Sequence, residues 1–308
     1  HANRGNYDIT AQTPLIDNLL LSGSGWATVF TVAAGLTTTN PFAAVSKSNI
    51  IIKEIKFVGH ANLDHFIFFS GCDDCSVTIC YLSTVKKEAI TFASTAGHVS
   101  ERFTCSGNFG WRVALDASTP QGFVQTDAVN CIITGNVVDH DSQGGQAYLG
   151  YLMGTDIIFA NNTIKNATGL VICPNPLNAP STQRIIVEGN IGENLNSIAN
   201  NSAVITGNAT SQITIALNTL EDYTYRGMTL EGSDHEVIDN KLKTGTDFAI
   251  YVLSPDTLVA NNKVQDSLGH AIYIRADWAT VTGNKVKNTG ANPNAMDAFL
   301  TDSEYGLY

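Results

Sequence analysis

The stretch NNKVQDSLGHAIYI, residues 261–274, nearly repeats DNKLKTGTDFAIYV, residues 239–252, and GNKVKNTG opens a third copy at residue 283. Each copy has an asparagine, a short apolar run, a polar turn and a second apolar run. The aligned asparagines lie 22 residues apart, at Asn218, Asn240, Asn262 and Asn284. A fixed period of this length indicates an array of stacked repeats.

Within each copy, apolar and polar residues alternate over about four positions, which is the period of a strand and not of a helix. One such unit cannot bury its own apolar side chains. Stacked units can, because each strand bonds to the strand of the next coil about 4.8 Å away. The repeat is therefore predicted to be one coil of a β-solenoid.

Looser copies precede the regular ones. CIITGNVV (131–138), IIFANNTI (157–164), RIIVEGNI (184–191) and SAVITGNA (202–209) place an asparagine at the same turn, namely Asn136, Asn162, Asn190 and Asn208. Similar wording without the asparagine continues upstream in NIIIKEIKFVG (49–59), CSVTICYL (75–82) and HVSERFTC (98–105). We predict a solenoid domain over residues 46–308, and we assign residues 1–45, which do not match the repeat, to an N-terminal cap or connector.

The turn asparagines are interpreted as structural. An amide at an inward-facing corner bonds backbone groups and the amide of the next coil, and asparagine tolerates the left-handed conformation of a sharp corner.

The N-x-[VIL] turns, the AIY[VI] strands and the coil length resemble those of the pectate-lyase-like superfamily. This resemblance implies an all-β, right-handed parallel β-helix of roughly 10–12 coils of about 22–28 residues. Members of the superfamily include pectate lyases, polygalacturonases, alginate-active lyases and epimerases, phage tailspikes and adhesins. Function must therefore be argued from a site.

Charge restricts the partners. The 308 residues carry a formal net charge of -11, so a phosphate backbone would be repelled and nucleic acid is not expected as a partner. No apolar run is long enough to insert into a membrane. An acidic polysaccharide would need a local cluster of arginine or lysine, or a bridging calcium ion.

The first candidate site combines Asp73-Asp74-Cys75 with Gly97-His98. These segments are similar to the Asp-Asp-Cys and Gly-His motifs of polygalacturonase-type hydrolases, in which carboxylates act as general acid and base. The resemblance implies catalytic roles for Asp73, Asp74 and His98. The Asn-Thr-Asp and Arg-Ile-Lys motifs of that family are absent here, and a solvated turn with an exposed histidine is the alternative reading.

The second candidate is VDHDSQGGQ, which begins at residue 138. Asp139 and Asp141 are predicted catalytic residues, with His140 and Arg112 as substrate-binding neighbours. Calcium is the cofactor that such a loop could hold, because calcium takes oxygen ligands from flexible loops. A polar surface turn is the alternative.

A third candidate comes from the regular coils, where the 22-residue period stacks residues into columns. Aromatic, acidic and basic groups in such columns could bind sugar rings, and Arg226, Arg275 and Trp278 are predicted substrate-binding residues. Solenoid surfaces also carry such columns without binding anything.

The six cysteines include Cys72-x-x-Cys75, but no second pair follows at zinc-ligand spacing. We expect most of them to be buried, and disulfides are permitted in an exported chain.

Two functions remain open. One is an extracellular enzyme, a hydrolase or lyase, that cleaves or modifies an acidic polysaccharide; the other is a non-catalytic tailspike, adhesin or surface-assembly subunit. Both place the protein outside the cell or on a cell or virion surface. MDAFLTDSEYGLY, residues 296–308, starts further coil wording without a capping helix, so we expect a truncated solenoid or a homo-oligomer through this end.

Overall fold

The computed structural model describes residues 2–36, 40–116, 119–141, 146–174, 182–196 and 202–289. Every regular element in these residues is a β-strand, and each coil contributes one strand to each of three parallel sheets. The predicted all-β solenoid is confirmed. The predicted uncapped end falls on residues 290–308, outside the described residues.

Sheet A has 12 strands. They are β1 (Gly5–Ile9), β4 (Thr28–Val32), β7 (Lys56–Val58), β10 (Tyr81–Ser83), β13 (Phe109–Trp111), β16 (Val137–Asp139), β19 (Thr163–Lys165), β22 (Ile191–Asn196), β25 (Thr219–Thr224), β28 (Lys241–Gly245), β31 (Lys263–Ser267) and β34 (Lys285–Lys287).

Sheet B has 11 strands. They are β2 (Thr13–Pro14), β5 (Phe42–Val45), β8 (Ile67–Ser70), β11 (Ile90–Ala93), β14 (Pro120–Thr126), β17 (Gln146–Leu152), β20 (Gly169–Cys173), β23 (Ser202–Thr206), β26 (Arg226–Leu230), β29 (Ile250–Val252) and β32 (Ile272–Ile274).

Sheet C also has 11 strands. They are β3 (Leu20–Ser22), β6 (Ile51–Lys53), β9 (Asp73–Thr78), β12 (Glu101–Ser106), β15 (Val129–Thr134), β18 (Thr155–Ala160), β21 (Thr182–Glu188), β24 (Thr210–Ala216), β27 (Glu236–Ile238), β30 (Leu258–Ala260) and β33 (Thr280–Thr282).

The sheets begin at Gly5 and not at residue 46, which corrects the expected N-terminal boundary. The alternating segment TVFTV of β4 pairs with β1 on one side and β7 on the other. Likewise β2 pairs with β5, and β3 with β6. Residues 5–45 therefore supply the first coils of the solenoid, although their sequence does not match the later repeat.

The core lies between the three sheets and consists of the inward-facing side chains of their strands. Its N-terminal half is aromatic, with Phe92 and Phe103 stacked at 4.5 Å between ring centroids. Its C-terminal half is mainly aliphatic. All six cysteines are buried in this core, and none forms a disulfide.

The asparagine ladder is confirmed at the turn from sheet C to sheet A, but the left-handed residue of the corner is the one before the ladder asparagine, as at Asn261 and Gly283. Each side-chain amide donates to the side-chain oxygen of the next asparagine at 2.9–3.0 Å. The members are Asn108, Asn136, Asn162, Asn190, Asn218, Asn240, Asn262 and Asn284. Successive members are 28, 26, 28, 28, 22, 22 and 22 residues apart, within the predicted range of coil lengths.

Two predictions about the ladder need correction. Asn208 is exposed in the turn from sheet B to sheet C and is not a member, because SAVIT forms strand β23 of sheet B. Asn108 is a member that the sequence analysis missed. Cys80 takes the ladder position one coil earlier, and its backbone N–H donates to Asn108 Oδ1 at 2.9 Å.

Candidate functional site

Asp73 and His98 lie together at the border between sheets B and C. His98 Nε2 is 3.1 Å from Asp73 Oδ1, and the backbone N–H of Glu101 donates to the same oxygen at 2.9 Å. Asp73 pairs in register with Glu101, 28 residues later in the chain. His98 reaches Asp73 from the connection between β11 and β12.

Asp74 belongs to a surface ion pair. Arg102 Nε and Nη2 donate to its two carboxylate oxygens at 2.6 and 3.0 Å, and the guanidinium holds the pKa of Asp74 below its usual value. Arg184 and Asp156 repeat the arrangement at 2.7 and 2.8 Å on the same face of sheet C. The repetition indicates a structural role for Asp74, because both pairs occupy the same position in their coils.

Asp139 and Asp141 lie where sheet A ends. Asp139 Oδ1 accepts from the backbone N–H of Asp141 and from Asn166 Nδ2, both at 2.9 Å. The backbone N–H of Arg112 donates to the carbonyl of Asp139 at 3.0 Å, so the expected proximity of Arg112 to this loop is present.

His140 is not available to a substrate, which corrects its predicted binding role. Its side chain is buried, and Nε2 lies 3.3 Å from the carbonyl of Ala114 in the adjacent coil. Burial lowers its pKa, so the ring is neutral near pH 7 and links two connections.

The five predicted catalytic residues therefore do not form one site. Asp73, Asp74 and His98 lie at the border of sheets B and C, whereas Asp139 and Asp141 lie at the border of sheets A and B. Within the described ranges, no three histidine, cysteine, aspartate or glutamate side chains converge as metal ligands, and calcium stays a prediction.

The stacked columns near the C-terminal end are present, but their rings cover one another. The ring centroids of Phe248 and His270 are 5.2 Å apart, those of Tyr251 and Tyr273 are 5.3 Å apart, and both pairs are stacked. The Arg226 guanidinium covers the Tyr251 ring at 4.4 Å. A sugar would meet ring edges here, because the ring faces are already in contact with each other.

Arg275 and Trp278 follow β32, in the same coil as His270 and Tyr273, and both are exposed; 66% of Trp278 is accessible. They remain candidates for binding a ligand at the surface.

Sheet C carries a shallow groove of about 580 Å³ on its outer face. Ile132, Ile158 and Ile186 form its floor, and the Asp156–Arg184 pair lies at one side. The arginine also lowers the pKa of Asp156, so this carboxyl is ionised near neutral pH and is a weak base.

Sequence analysis missed a buried acid beside sheet B. Glu88 is only 4% exposed and lies two residues before β11. Its Oε2 is 3.1 Å from His65 Nδ1, and Thr91 Oγ1 is also 3.1 Å from that nitrogen. The two residues belong to adjacent connections between sheets A and B, and no short motif contains both of them.

Three further groups lie in the region of the Glu88–His65 pair, and one of them, Tyr151, lies two strands from β11 in sheet B. Phe68 projects from the outer face of β8, with its ring centroid 5.8 Å from that of His65. Tyr151 of β17 is half-buried, and burial together with the charge of Glu88 raises its pKa. Lys87, next to Glu88 in the chain, pairs with Asp64 at 3.3 Å.

Searches with known proteins find the likeness in structure and not in sequence. The catalytic unit of the GH87 α-1,3-glucanase from Streptomyces thermodiastaticus superposes with a TM-score of 0.70 and 14% identity, over 96% of this chain and 64% of that chain. A mutant tailspike protein of E. coli bacteriophage HK620, in complex with a hexasaccharide, gives a TM-score of 0.67 and 10% identity over 91% and 58% of the two chains. The chain has the right-handed parallel β-helix fold.

A third β-helix, the A-module of the mannuronan C-5 epimerase AlgE6 from Azotobacter vinelandii, gives a TM-score of 0.54 and 12% identity over 94% of this chain and 85% of that module. No family model and no curated protein matches the sequence. The chain spans less than two thirds of the glucanase and tailspike chains. The described residues also contain no helix with the length and apolar character that crossing a bilayer requires.

On this β-helix, two carboxylate–histidine pairs border the same part of sheet B. The Glu88–His65 pair lies before β11, and the Asp73–His98 pair lies beyond it. The four residues of β11 span about 13 Å. A ligand crossing the sheet at this level could therefore contact both pairs.

Proposed function

We propose that this chain is an extracellular enzyme that binds an acidic polysaccharide across the outer face of sheet B and cleaves it by proton transfer at Glu88 and His65. The observation that carries the proposal is the buried carboxyl of Glu88, 3.1 Å from a histidine that is itself 17% exposed. A buried carboxyl held against a partly exposed imidazole is an arrangement suited to proton transfer at the protein surface.

The two residues would have different roles. With Glu88 ionised, His65 Nδ1–H donates to the carboxylate, which leaves Nε2 as the proton acceptor. Glu88 is then a positioning residue and His65 the general base.

Tyr151 would supply the acid. Its raised pKa keeps the phenol protonated near neutral pH. A base and a neutral phenol suit β-elimination from a uronate: His65 takes the proton next to the carboxyl group, the glycosidic C–O bond breaks as a C=C bond forms, and Tyr151 protonates the leaving oxygen.

A hydrolase reading has less support. Glycoside hydrolysis uses two carboxyl groups about 5–10 Å apart around the scissile bond. The acids of the neighbouring connections are Asp64 and Asp116. Each is in an ion pair, Asp64 with Lys87 at 3.3 Å and Asp116 with Lys86 at 3.9 Å. These lysines could instead meet the carboxylates of the glycan.

The test uses Glu88→Gln and His65→Gln, with Glu236→Gln on the outer face of sheet C as the matched control. Polymannuronate, polygalacturonate and other acidic glycans are incubated with each protein, and unsaturated ends and reducing ends are measured. We expect both site variants to lose at least about 100-fold in rate and the control to lose none.

Full activity in both site variants would refute the assignment. Reducing ends without unsaturated ends would indicate a hydrolase. Binding without any cleavage would favour the second candidate, a non-catalytic glycan-binding surface protein, which is supported by the structural role of the Asp74–Arg102 pair.

A further inference from the structure

The repeated lysines of the C-terminal coils lie together on the outer face of sheet A. In the register of β28, β31 and β34, Lys241 pairs with Lys263 and Lys263 with Lys285. A second column contains Lys243, Gln265 and Lys287. We call these five lysines the lysine face, and they come from only 17 lysine and arginine residues in a chain of net charge -11.

The spacing of this face is regular. Parallel strands place successive members of a column about 4.8 Å apart, and the two columns are about 6.6 Å apart along each strand. Like charges directly opposite each other in a sheet are unfavourable. An anionic ligand would relieve this repulsion.

Two acidic groups, Glu221 and Asp266, offset only part of the charge of the lysine face. Lys241 lies 3.5 Å from Glu221, at the edge toward β25. Asp266 lies within β31, where Asn288, Gln265 and then the nearby lysines lower its pKa. Among the described residues, the other four lysines have no carboxylate within the 4.0 Å of an ion pair: Lys243, Lys263, Lys285 and Lys287.

The neighbouring coils lack this excess of positive charge. On β22 and β25 the second column continues as Glu193 and Glu221, and Lys165 on β19 pairs with Glu193 at 2.6 Å. The first column continues as Ile191 and Thr219. The lysine face is therefore confined to the last three strands of sheet A.

We propose that the lysine face is a binding surface for an acidic glycan, separate from the site at Glu88. The choice of a glycan rests on the proposed function. The regularly spaced charges of the lysine face are comparable to those of an extended uronate chain, which presents one carboxylate for each sugar ring. A nucleic acid has a much denser charge and would also be repelled by the rest of the protein.

The experiment compares two triple variants of the full chain that remove the same number of charges. One is Lys241→Gln/Lys263→Gln/Lys285→Gln. The control is Lys47→Gln/Lys53→Gln/Lys165→Gln, which changes lysines outside the lysine face. Affinity for polymannuronate, polygalacturonate, neutral dextran and duplex DNA is measured by calorimetry over a range of salt concentrations, with Glu88→Gln as a further protein.

We expect the lysine-face variant to lose about tenfold or more in affinity for an acidic glycan at low salt, with a shallower salt dependence. The control should bind as the unmodified protein does, and Glu88→Gln, which alters the other proposed site, should keep the salt-dependent part of the binding. The affinity of Glu88→Gln is measured without any catalysis. Failure of the proposed enzyme activity is therefore distinguishable from failure of the lysine face to bind.

Three results would overturn the inference. Equal losses of affinity in the two triple variants would show that net charge, and not the position of the lysines, determines binding. Equal binding of DNA and acidic glycans would show unselective attraction of polyanions. Absence of binding to both acidic glycans, at low salt, would remove the ligand class.

Discussion

Asn262 shows how one side chain joins neighbouring coils. Its amide donates to the carbonyl of Val237 at 2.8 Å and to Asn284 Oδ1 at 3.0 Å, while its own oxygen accepts from the backbone and side chain of Asn240 at 3.0 Å. The residue is fully buried. Removing it would leave several buried polar groups without partners, each costing about 1–3 kcal/mol.

We therefore predict that Asn262→Ala lowers the free energy of unfolding by about 2–4 kcal/mol. Asn261 is the control, because it is exposed and has a φ of 58°. Asn261→Gly retains that left-handed conformation and should change stability by less than about 0.5 kcal/mol. Urea unfolding measures both, and equal effects would contradict the buried ladder as the source of stability.

His235 makes the stability depend on pH. The backbone N–H of Ile213 donates to its Nδ1 at 3.2 Å, and Nε2 lies 2.6 Å from the carbonyl of Glu231, so the neutral ring carries its proton on Nε2. Burial lowers its pKa from 6.5. The unfolded chain thus takes up the proton first, and the stabilisation is complete above pH 6.5 and is lost as the pH falls toward the folded pKa.

Unfolding free energy should therefore decrease between about pH 7.5 and about pH 5. In His235→Asn, which keeps an acceptor for Ile213 but does not titrate, the decrease should be smaller. His140, also buried and with a lowered pKa, would account for part of the remaining slope. Identical slopes for the two proteins would exclude His235 as a contributor.

At the scale of the strand, Gly245 of β28 is needed by its neighbour. Tyr223 of β25 pairs with it in register, and a Cβ at Gly245 would lie 2.2–2.4 Å from the Tyr223 ring and hydroxyl. Tyr223 is itself buried. The glycine therefore provides the space that the tyrosine fills.

Gly245→Ala should destabilise the protein by about 1–3 kcal/mol. The double variant Gly245→Ala/Tyr223→Leu should be less destabilised than the sum of the two single variants, because the smaller side chain removes the clash. Thermal unfolding of the four proteins gives the interaction energy. Additive effects would mean that the two residues are independent.

The strands could be predicted from the sequence where successive coils have the same residue at the same corner. The inward corner selects asparagine in eight successive coils, so the repeat is visible in the sequence. Before them the corner holds Cys80 and, one coil earlier, the buried Ile55. The strands persist there without the asparagine, which explains why residues 5–45 could not be recognised.

The misplaced Asn208 has a related cause. Its segment ITGN has the same local wording as the ladder turn at Asn136, but it follows a strand of sheet B. Local sequence specifies a turn, and the long-range register decides which turn of the coil it is.

At the scale of the whole molecule, the coil is the unit of stability. Asn218 and Asn240 occupy equivalent positions 22 residues apart, and each coil contacts mainly its two neighbours. Deleting residues 240–261 removes one strand from each sheet and leaves Asn218 above Asn262. Deleting only residues 240–250 would break the register of all later strands.

We predict that the 22-residue deletion gives a folded protein with a β-type circular dichroism spectrum and a melting temperature within about 10 °C of the parent, since one interface term is lost. The 11-residue deletion should lose the cooperative transition of the C-terminal coils. Equal behaviour of the two deletions would refute independent, stacked coils.

The candidate site was far less predictable than the fold. Glu88 and His65 meet only because two connections of unequal length stack at the border of sheet B. The Asp73-Asp74-Cys75 motif was visible, but the long coil moves Asp74 onto Arg102 and leaves Asp73 with His98. A site that forms only when connections from different coils stack has no short motif by which the sequence could reveal it.

The change in coil length, from 28 residues between Asn190 and Asn218 to 22 beyond Asn218, makes the rod taper. The asparagine ladder continues through this change, and the residues are lost from other turns. Eight residues join β7 to β8, whereas a single residue joins β25 to β26. Four residues join β28 to β29 and β31 to β32, so the last coils have short, regular connections beside sheet B.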